Sequence, residues 1–238
     1  CLVSEPSVLS VNFSGTRNST GDTSEPRGTV SGEATFGGAP VAGMYWNNIS
    51  AKNSTNRGGL IWNDGTAATG LTLTASNTGV MYTSGTAGAE GTLFYSYLDD
   101  ASATAKISGL TPANGIVSAK CTVYVYMSGD AANKKFKAVT VNGVNYCANA
   151  NSTDGSAIYV GANNDWGEAG YSLDGMMVPN GNYIRIPDVM ISAAGEVSIT
   201  PLKTTDTKVA RGGFAAFQIA DLRRWAGDDV TCGELHVD

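Results

Sequence analysis

The stretch AKCTVYVYMSG, residues 119–129, decides the fold. In an extended chain Cys121, Val123, Val125 and Met127 fall on one side and Thr122, Tyr124 and Tyr126 on the other, because successive side chains of a strand point to opposite faces. The run is β-branched and aromatic, which suits a pleated surface. Next comes AVTVNGVNYC, residues 138–147, with Asn142-Gly143 set between Val141 and Val144. Asn-Gly between apolar residues is the strongest short hairpin signal, since a two-residue turn of the favoured type needs positive φ at both positions. Pairing across that turn puts Val139, Val141, Val144 and Tyr146 on one face, and parity puts Cys147 on the opposite one.

The same grammar extends outward. VLSVNFSG alternates Leu9, Val11 and Phe13 with polar residues, and TGLTLTAS, Thr69 to Ser76, sets Leu71 and Leu73 on one side. Leu60-Ile61-Trp62 runs into the turn Asn63-Asp64-Gly65. Strands are also expected over Ala105–Leu110, Gly155–Val160, Asn182–Ile186, Gly195–Pro201 and Gly213–Ala220. Thr92–Leu98 reads as a strand or short helix, Ile219–Ala226 carries helical character, and the long Gly/Ser/Thr/Pro-rich excursion over residues 15–40 holds a candidate hairpin at Thr29–Phe36. About ten to twelve short strands without a βαβ rhythm give an all-β chain, a two-sheet antiparallel sandwich with long loops and little helix. It is read as one domain over residues 1–238, with 1–7 and 223–238 as terminal extensions.

Composition narrows the function classes. Of 238 residues, 42% are hydrophobic, enough for a sizeable core, and only 15% are charged, against about 25% in average globular proteins. Thirty glycines fit many tight turns. The net charge of −6 speaks against a nucleic-acid partner, which requires a basic patch. No apolar run is long enough to span a membrane. The chain opens at Cys1 without Met, which reads as an exported product whose signal has been removed, with Cys1 a candidate lipid anchor. A secreted or cell-surface location is expected.

Four cysteines, Cys1, Cys121, Cys147 and Cys232, fit disulfides in an oxidising compartment. Cys121 with Cys147 would close a loop of about 25 residues, worth about 3 kcal/mol by chain entropy, and Cys1 with Cys232 would tie the ends or link subunits. Free buried thiols are the alternative. The parity of Cys147 works against the first pair unless a β-bulge intervenes.

Several segments taken in order carry a resemblance: SVNFSG, YWNNIS, NDGTAATGLTLT, ISGL, CTVYVYMSGD, VTVNGVNY, NYIRIPDV and RGGFAAFQIADL. Over about residues 8 to 222 the chain resembles bacterial extracellular jelly-roll domains similar to galactose-binding-like and malectin-like modules. The resemblance implies a two-sheet jelly roll. Members often bind carbohydrate and some serve only as spacers.

Signals for catalysis are weak. The single histidine, His236, is the third residue from the end and no G-x-S-x-G elbow accompanies it. Carboxylate pairs for glycoside hydrolysis would have to come from Asp99-Asp100, Asp165 with Glu168, or Asp228-Asp229. No catalytic residue is therefore assigned, and the chain is expected not to be an enzyme. No cofactor is required. A structural calcium is conceivable in NNDWGEAGYSLDG through Asn164, Asp165, Glu168 and Asp174, which offer hard oxygen ligands without EF-hand spacing. For sugar binding an aromatic face should stand beside amides or carboxylates. Trp46 with Asn47 and Asn48, Trp62 with Asn63 and Asp64, and Trp166 with Asn164 and Asp165 are the candidates, and a tryptophan packed in the core is the competing reading for each. Sequons at Asn12, Asn18, Asn48, Asn53 and Asn151 are candidate glycan acceptors, Asn12 being disfavoured by its place in a strand.

The expected function is a non-catalytic structural or adhesive subunit of an extracellular assembly, a filament or surface layer built by self-association of identical subunits. The alternatives, in order, are a carbohydrate-binding module that takes glycans and a glycoside-active enzyme.

Overall fold

A computed structural model of the protein describes residues 6–13, 45–49, 54–76, 80–82, 96–98, 104–127, 136–149, 172–173, 176–177, 183–201 and 214–225. These residues form strands β1 (Ser7–Phe13), β2 (Asn47–Ile49), β3 (Ser54–Arg57), β4 (Thr72–Ser76), β5 (Val80–Tyr82), β6 (Ser96–Leu98), β7 (Thr104–Ser108), β8 (Lys120–Met127), β9 (Phe136–Val141), β10 (Val144–Asn149), β11 (Ser172–Leu173), β12 (Met176–Met177), β13 (Tyr183–Met190), β14 (Glu196–Pro201) and β15 (Phe214–Leu222). Among the described residues one 3-10 turn, Pro112–Asn114, precedes β8. Several of the strands beyond the expected number are only two or three residues long.

Two sheets pack face to face. One has the order β13-β8-β15-β1-β2 and the other β10-β9-β14-β7-β4-β3. All pairs are antiparallel except β1 with β2. Numbered along the chain, the eight strands β1, β7, β8, β9, β10, β13, β14 and β15 lie as 1-8-3-6 in one sheet and 2-7-4-5 in the other. That interleaving is the double Greek key of a jelly roll, and β2, β3 and β4 extend it. One core cluster joins the sheets: Leu9, Val11, Phe13, Val123, Val125, Phe217 and Ile219 from the first meet Leu73, Ile107, Val139, Val141, Val197 and Ile199 from the second.

The sequence patterns explain the elements. The Asn142-Gly143 turn forms with φ of 45° and 85°, and Val144 pairs with Val141 and Tyr146 with Val139 as the alternation requires. The strand in TGLTLTAS starts only at Thr72, because Gly70 at φ 79° turns the chain just before it. β13 runs past the expected end at Ile186. Pro187 and Asp188 form a bulge there, three steps on β13 from Ile186 to Val189 spanning two on β8, with Asp188 at φ 56°.

The helical expectation for Ile219–Ala226 is overturned. Ile219 and Ala220 pair with Val123 and Thr122 on β8, and Leu222 pairs with Ser7 on β1. The irregular alternation there comes from a second bulge, with Asp221 at φ 60°. Arg223 and Trp225 continue the pairing through Val117 N to Arg223 O and Trp225 N to Gly115 O, both 3.0 Å. The domain therefore includes residues 223–225, which the sequence assigned to a terminal extension. The expected strand over Gly155–Val160 and the hairpin at Thr29–Phe36 lie outside the described residues.

Candidate functional site

A concave surface lies where the two sheets meet along one rim of the sandwich. A hollow of about 530 Å³ opens between β10 and the β9–β10 turn on one side and β13 with the start of β14 on the other. Its volume falls within the range of ligand pockets, about 300–1,000 Å³. Val144 and Met190 line it and are 55% and 57% exposed. Tyr146, partly buried against the core, adds an aromatic wall, and burial raises its phenol pKa. Asp188, Ser192, Glu196 and Ser198 supply polar groups.

Asn142 fixes the shape of this rim. Its left-handed turn conformation directs the carboxamide across to both neighbouring strands. Its Oδ1 accepts from Ser198 N at 2.8 Å and Ser198 Oγ at 3.2 Å, and its Nδ2 donates to Met190 O at 2.9 Å. One side chain thus ties the six-stranded sheet to β13 of the five-stranded sheet. The carboxylates are held by lysines: Lys106 Nζ lies 2.7 Å from Glu196 Oε1 and Lys120 Nζ lies 3.2 Å from Asp188 Oδ1. Hydrogen bonds from Lys106 and Ser108 hold the Glu196 carboxyl below its ordinary range, outweighing the opposing effect of burial. Glu196 is ionised at neutral pH and suited to accept hydrogen bonds.

The aromatic platforms expected from the sequence are built into the body of the protein instead. Trp46 is 5% exposed and sets its ring edge-on to Tyr126, with centroids 6.3 Å apart. Asn47 is buried and acts as an extra piece of backbone: its Nδ2 donates to the carbonyls of Ser10 and Ile61, and its Oδ1 accepts from Ile61 N, all within 2.9 Å. Asn48 Oδ1 accepts from Asn12 Nδ2 at 3.1 Å. Trp62 is 3% exposed, and Arg224 lies over its ring at 4.8 Å. Asp64 anchors the same guanidinium at 2.8 Å, while Arg224 also donates to Ser7 and Thr66. Burial raises the Asp64 carboxyl, but hydrogen bonds from Thr66 and Arg224 outweigh it and the net shift is downward. Trp46, Trp62 and Asp64 therefore hold the fold together rather than offering an open sugar-stacking face. This role is not legible in the sequence, because Arg224 is 160 residues from Asp64.

The Cys121–Cys147 bond is not formed. Cys121 carries a free thiol in the core, 2% exposed, and Cys147 pairs through its backbone with Ala138 in the opposite sheet. Burial, with a smaller contribution from the Asp221 carboxylate, pushes the Cys121 thiol up to about 12. At the sequon Asn12 the side chain is 1% exposed, which leaves no room for a glycan, and at Asn48 it is half-buried. Cys1, Cys232, Asn18, Asn53, Asn151, Asp99, Asp100, Asn164, Asp165, Trp166, Glu168, Asp174, Asp228, Asp229 and His236 lie outside the described residues. Among the described residues no group of three or more His, Cys, Asp or Glu side chains is gathered as a metal site, and no helix is long and apolar enough to cross a membrane.

The rim was missed in the sequence because its parts are scattered over residues 141–198. Two signals were legible: the Asn-Gly turn, and a proline inside a strand pattern, which marks an edge strand. Comparison with protein-family models, curated proteins and solved structures finds no match for this chain.

Proposed function

We propose that the protein is a non-catalytic, secreted or cell-surface jelly roll that works as a structural or adhesive subunit of an extracellular assembly, gripping its partner at the rim between β10 and β13. The observation that carries this reading is the difference between the two strands bordering that rim. β13 carries Pro187, which has no N–H to offer, and a bulge at Asp188, two devices that discourage edge-to-edge pairing. β10 is the terminal strand of its sheet among the described strands. Its sequence VNYCAN contains neither Pro nor Lys, and it opens with the exposed Val144. At its start, where Val144 and the neighbouring Met190 are exposed, a strand without those devices is a surface suited to a partner.

The acidic groups support binding over hydrolysis. A glycosidase acid needs its pKa raised, whereas that of Glu196 is lowered. Light scattering and electron microscopy of the native protein test the assembly reading. Particles many times the 24.5 kDa chain are expected. A strictly monomeric protein at high concentration would contradict it.

One observation favours a second reading, carbohydrate binding. The same hollow combines Tyr146 with Glu196, Ser192 and Ser198, an aromatic surface beside acceptors and hydroxyls of the kind that recognise a pyranose. A glycan array should then show hits that Tyr146→Ala abolishes. An array without hits removes this reading.

A further inference from the structure

We infer that Asn142 and Asn114 are gated deamidation sites: the fold holds each Asn-Gly pair out of the geometry that converts its asparagine to aspartate or isoaspartate, and the conversion proceeds only when that segment opens. Neither conversion requires a partner, so the inference does not rest on the assembly reading.

The sequence carries three Asn-Gly pairs, at 114–115, 142–143 and 180–181. Asparagine is among the thermolabile residues, and a following glycine leaves the next backbone nitrogen unshielded and free to rotate. That nitrogen, on losing its proton, attacks the asparagine Cγ. Ammonia leaves and a five-membered succinimide remains. Water then opens the ring at either carbonyl, giving an aspartyl residue or an isoaspartyl one whose backbone runs through the side chain. The net change is one water taken up and one ammonia released.

Asn142 cannot take the first step while its hairpin is closed. The ring closes only when the Gly143 nitrogen eclipses Cβ. In an L-residue Cβ stands about 120° around the Cα–C axis from the residue's own nitrogen, so ψ must be about −120°. The turn has φ of 45° at Asn142 and 85° at Gly143. That is type I′, which sets ψ of its first residue near +30°, roughly 150° from closure. Rotating so far would separate Val144 from its partner Val141. The carboxamide is fixed as well, Oδ1 by Ser198 N and Oγ and Nδ2 by Met190 O. Both locks must open before the ring can form. Beyond them the site is unprotected, since Gly143 is exposed and a Cβ built on it meets nothing within 4 Å.

Asn114 is locked by other means. It ends the 3-10 turn, where ψ of about −20 to −30° lies roughly 90° from closure. Its attacking nitrogen is engaged, because Gly115 N donates to Pro112 O at 2.9 Å. Its Nδ2 donates to Gly109 O at 2.8 Å and to Gly70 O at 3.3 Å. A Cβ built at Gly70 would overlap the carboxamide, so this side chain is packed against bare backbone.

The two conversions cut different ties. At position 142 an aspartate keeps an acceptor for Ser198 but has no N–H for Met190 O, so the link from the six-stranded sheet to β13 is lost. At position 114 the lost donor is the one that joins the backbone just before β4 to the backbone just after β7.

Peptide mapping by mass spectrometry tests the gate, after prolonged incubation in mildly alkaline buffer of the full chain folded and of the same chain unfolded in guanidinium chloride. Unfolded, all three pairs should convert at similar rates to a mixture of aspartyl and isoaspartyl products. Folded, Asn142 and Asn114 should each convert at least about tenfold more slowly than in the unfolded chain, since each must wait for local opening, and should give the same mixture. Conversion in the folded chain as fast as in the unfolded one overturns the inference for that residue. Slow conversion to aspartate alone also overturns it, because water would then attack the carboxamide without the ring. Asn142→Asp imitates one product. Its amides over residues 188–191 should exchange faster than the parent's with an unchanged circular dichroism spectrum, and equal exchange would overturn the loss of the tie to β13.

Discussion

The two sheets of this sandwich are built from similar residues and live in different surroundings. In the six-stranded sheet β4, β7 and β14 alternate buried and partly exposed positions. Threonine, serine, Lys106 and Glu196 point outward, the pattern of a sheet with one wet face. In the five-stranded sheet every residue of β1 is buried, as are Cys121–Tyr126 of β8 and Ala215–Ala220 of β15. Its second face is buried and yet polar. Arg185, Tyr124, Gln218 and Ser10 stand opposite one another across four strands. Arg185 Nε donates to Tyr124 Oη at 3.1 Å, Tyr126 Oη donates to Gln218 Oε1 at 2.5 Å, and Gln218 Nε2 donates to Ser10 Oγ at 3.0 Å. The lesson is a division of labour. One sheet is locked on both faces, and the other keeps a solvated face and exposes Val144 where β10 begins. Stability concentrates in the first, and the proposed function places the capacity to join a partner in the second.

The sharpest break would come from Cys121, which faces the core from the locked sheet. With its thiol pKa pushed up to about 12 and its sulfur enclosed, it should remain unlabelled by iodoacetamide in the native protein and react fully once unfolded, as read by mass spectrometry. Rapid native labelling at neutral pH would mean that the locked sheet opens readily.

Substitutions on the two outer faces should differ next. Gln218→Ala removes a buried side chain that both accepts from Tyr126 and donates to Ser10, and should cost about 2–4 kcal/mol in denaturant unfolding. Thr74→Ala, on the solvated face, should stay within about 0.5 kcal/mol. Equal effects would erase the distinction. Asn142→Gly keeps the turn's positive φ but deletes the clamp between Ser198 and Met190, and should cost about 1–3 kcal/mol. An unchanged unfolding midpoint would show that the rim needs no such tie.

The smallest effect concerns pH. The folded-state pKa of Asp64 is depressed, so its contribution is fully present above the unfolded carboxylate value and is lost as pH falls through the folded one. The pair with Arg224 is partly exposed, with 45% of the Asp64 side chain accessible, so the contribution should not exceed about 1 kcal/mol. Thermal scans of the parent and Asp64→Asn should differ at pH 7, and the difference should shrink progressively as pH falls below about 4 through the depressed folded-state value. A difference that stays undiminished throughout acid titration would exclude this cause.

Where the sequence could be read, local chemistry decided the structure. The Asn142-Gly143 turn and the alternation in β1, β4 and β8 settle within a few residues, and they suffice for a two-sheet sandwich. The tryptophans could not be placed in this way. Trp62 beside Asn63 and Asp64 looks like a sugar platform until Arg224 from the far end of the chain covers it. Cys121 looked ready to pair with Cys147, but the core position of the one and the opposite-sheet position of the other are decided by topology. The bulges at Asp188 and Asp221 were likewise hidden, since a single extra residue shows only against a partner strand.

Hydrogen exchange followed peptide by peptide, in dilute and in concentrated protein, tests most directly whether the rim beside β10 is the working part. The amides of residues 120–127 and 215–220 should exchange slowest at every concentration. Those of residues 144–149 should exchange faster in dilute solution and slow as concentration rises. Exchange at residues 144–149 that is as slow as in β8 from the start, or that ignores concentration, would contradict it.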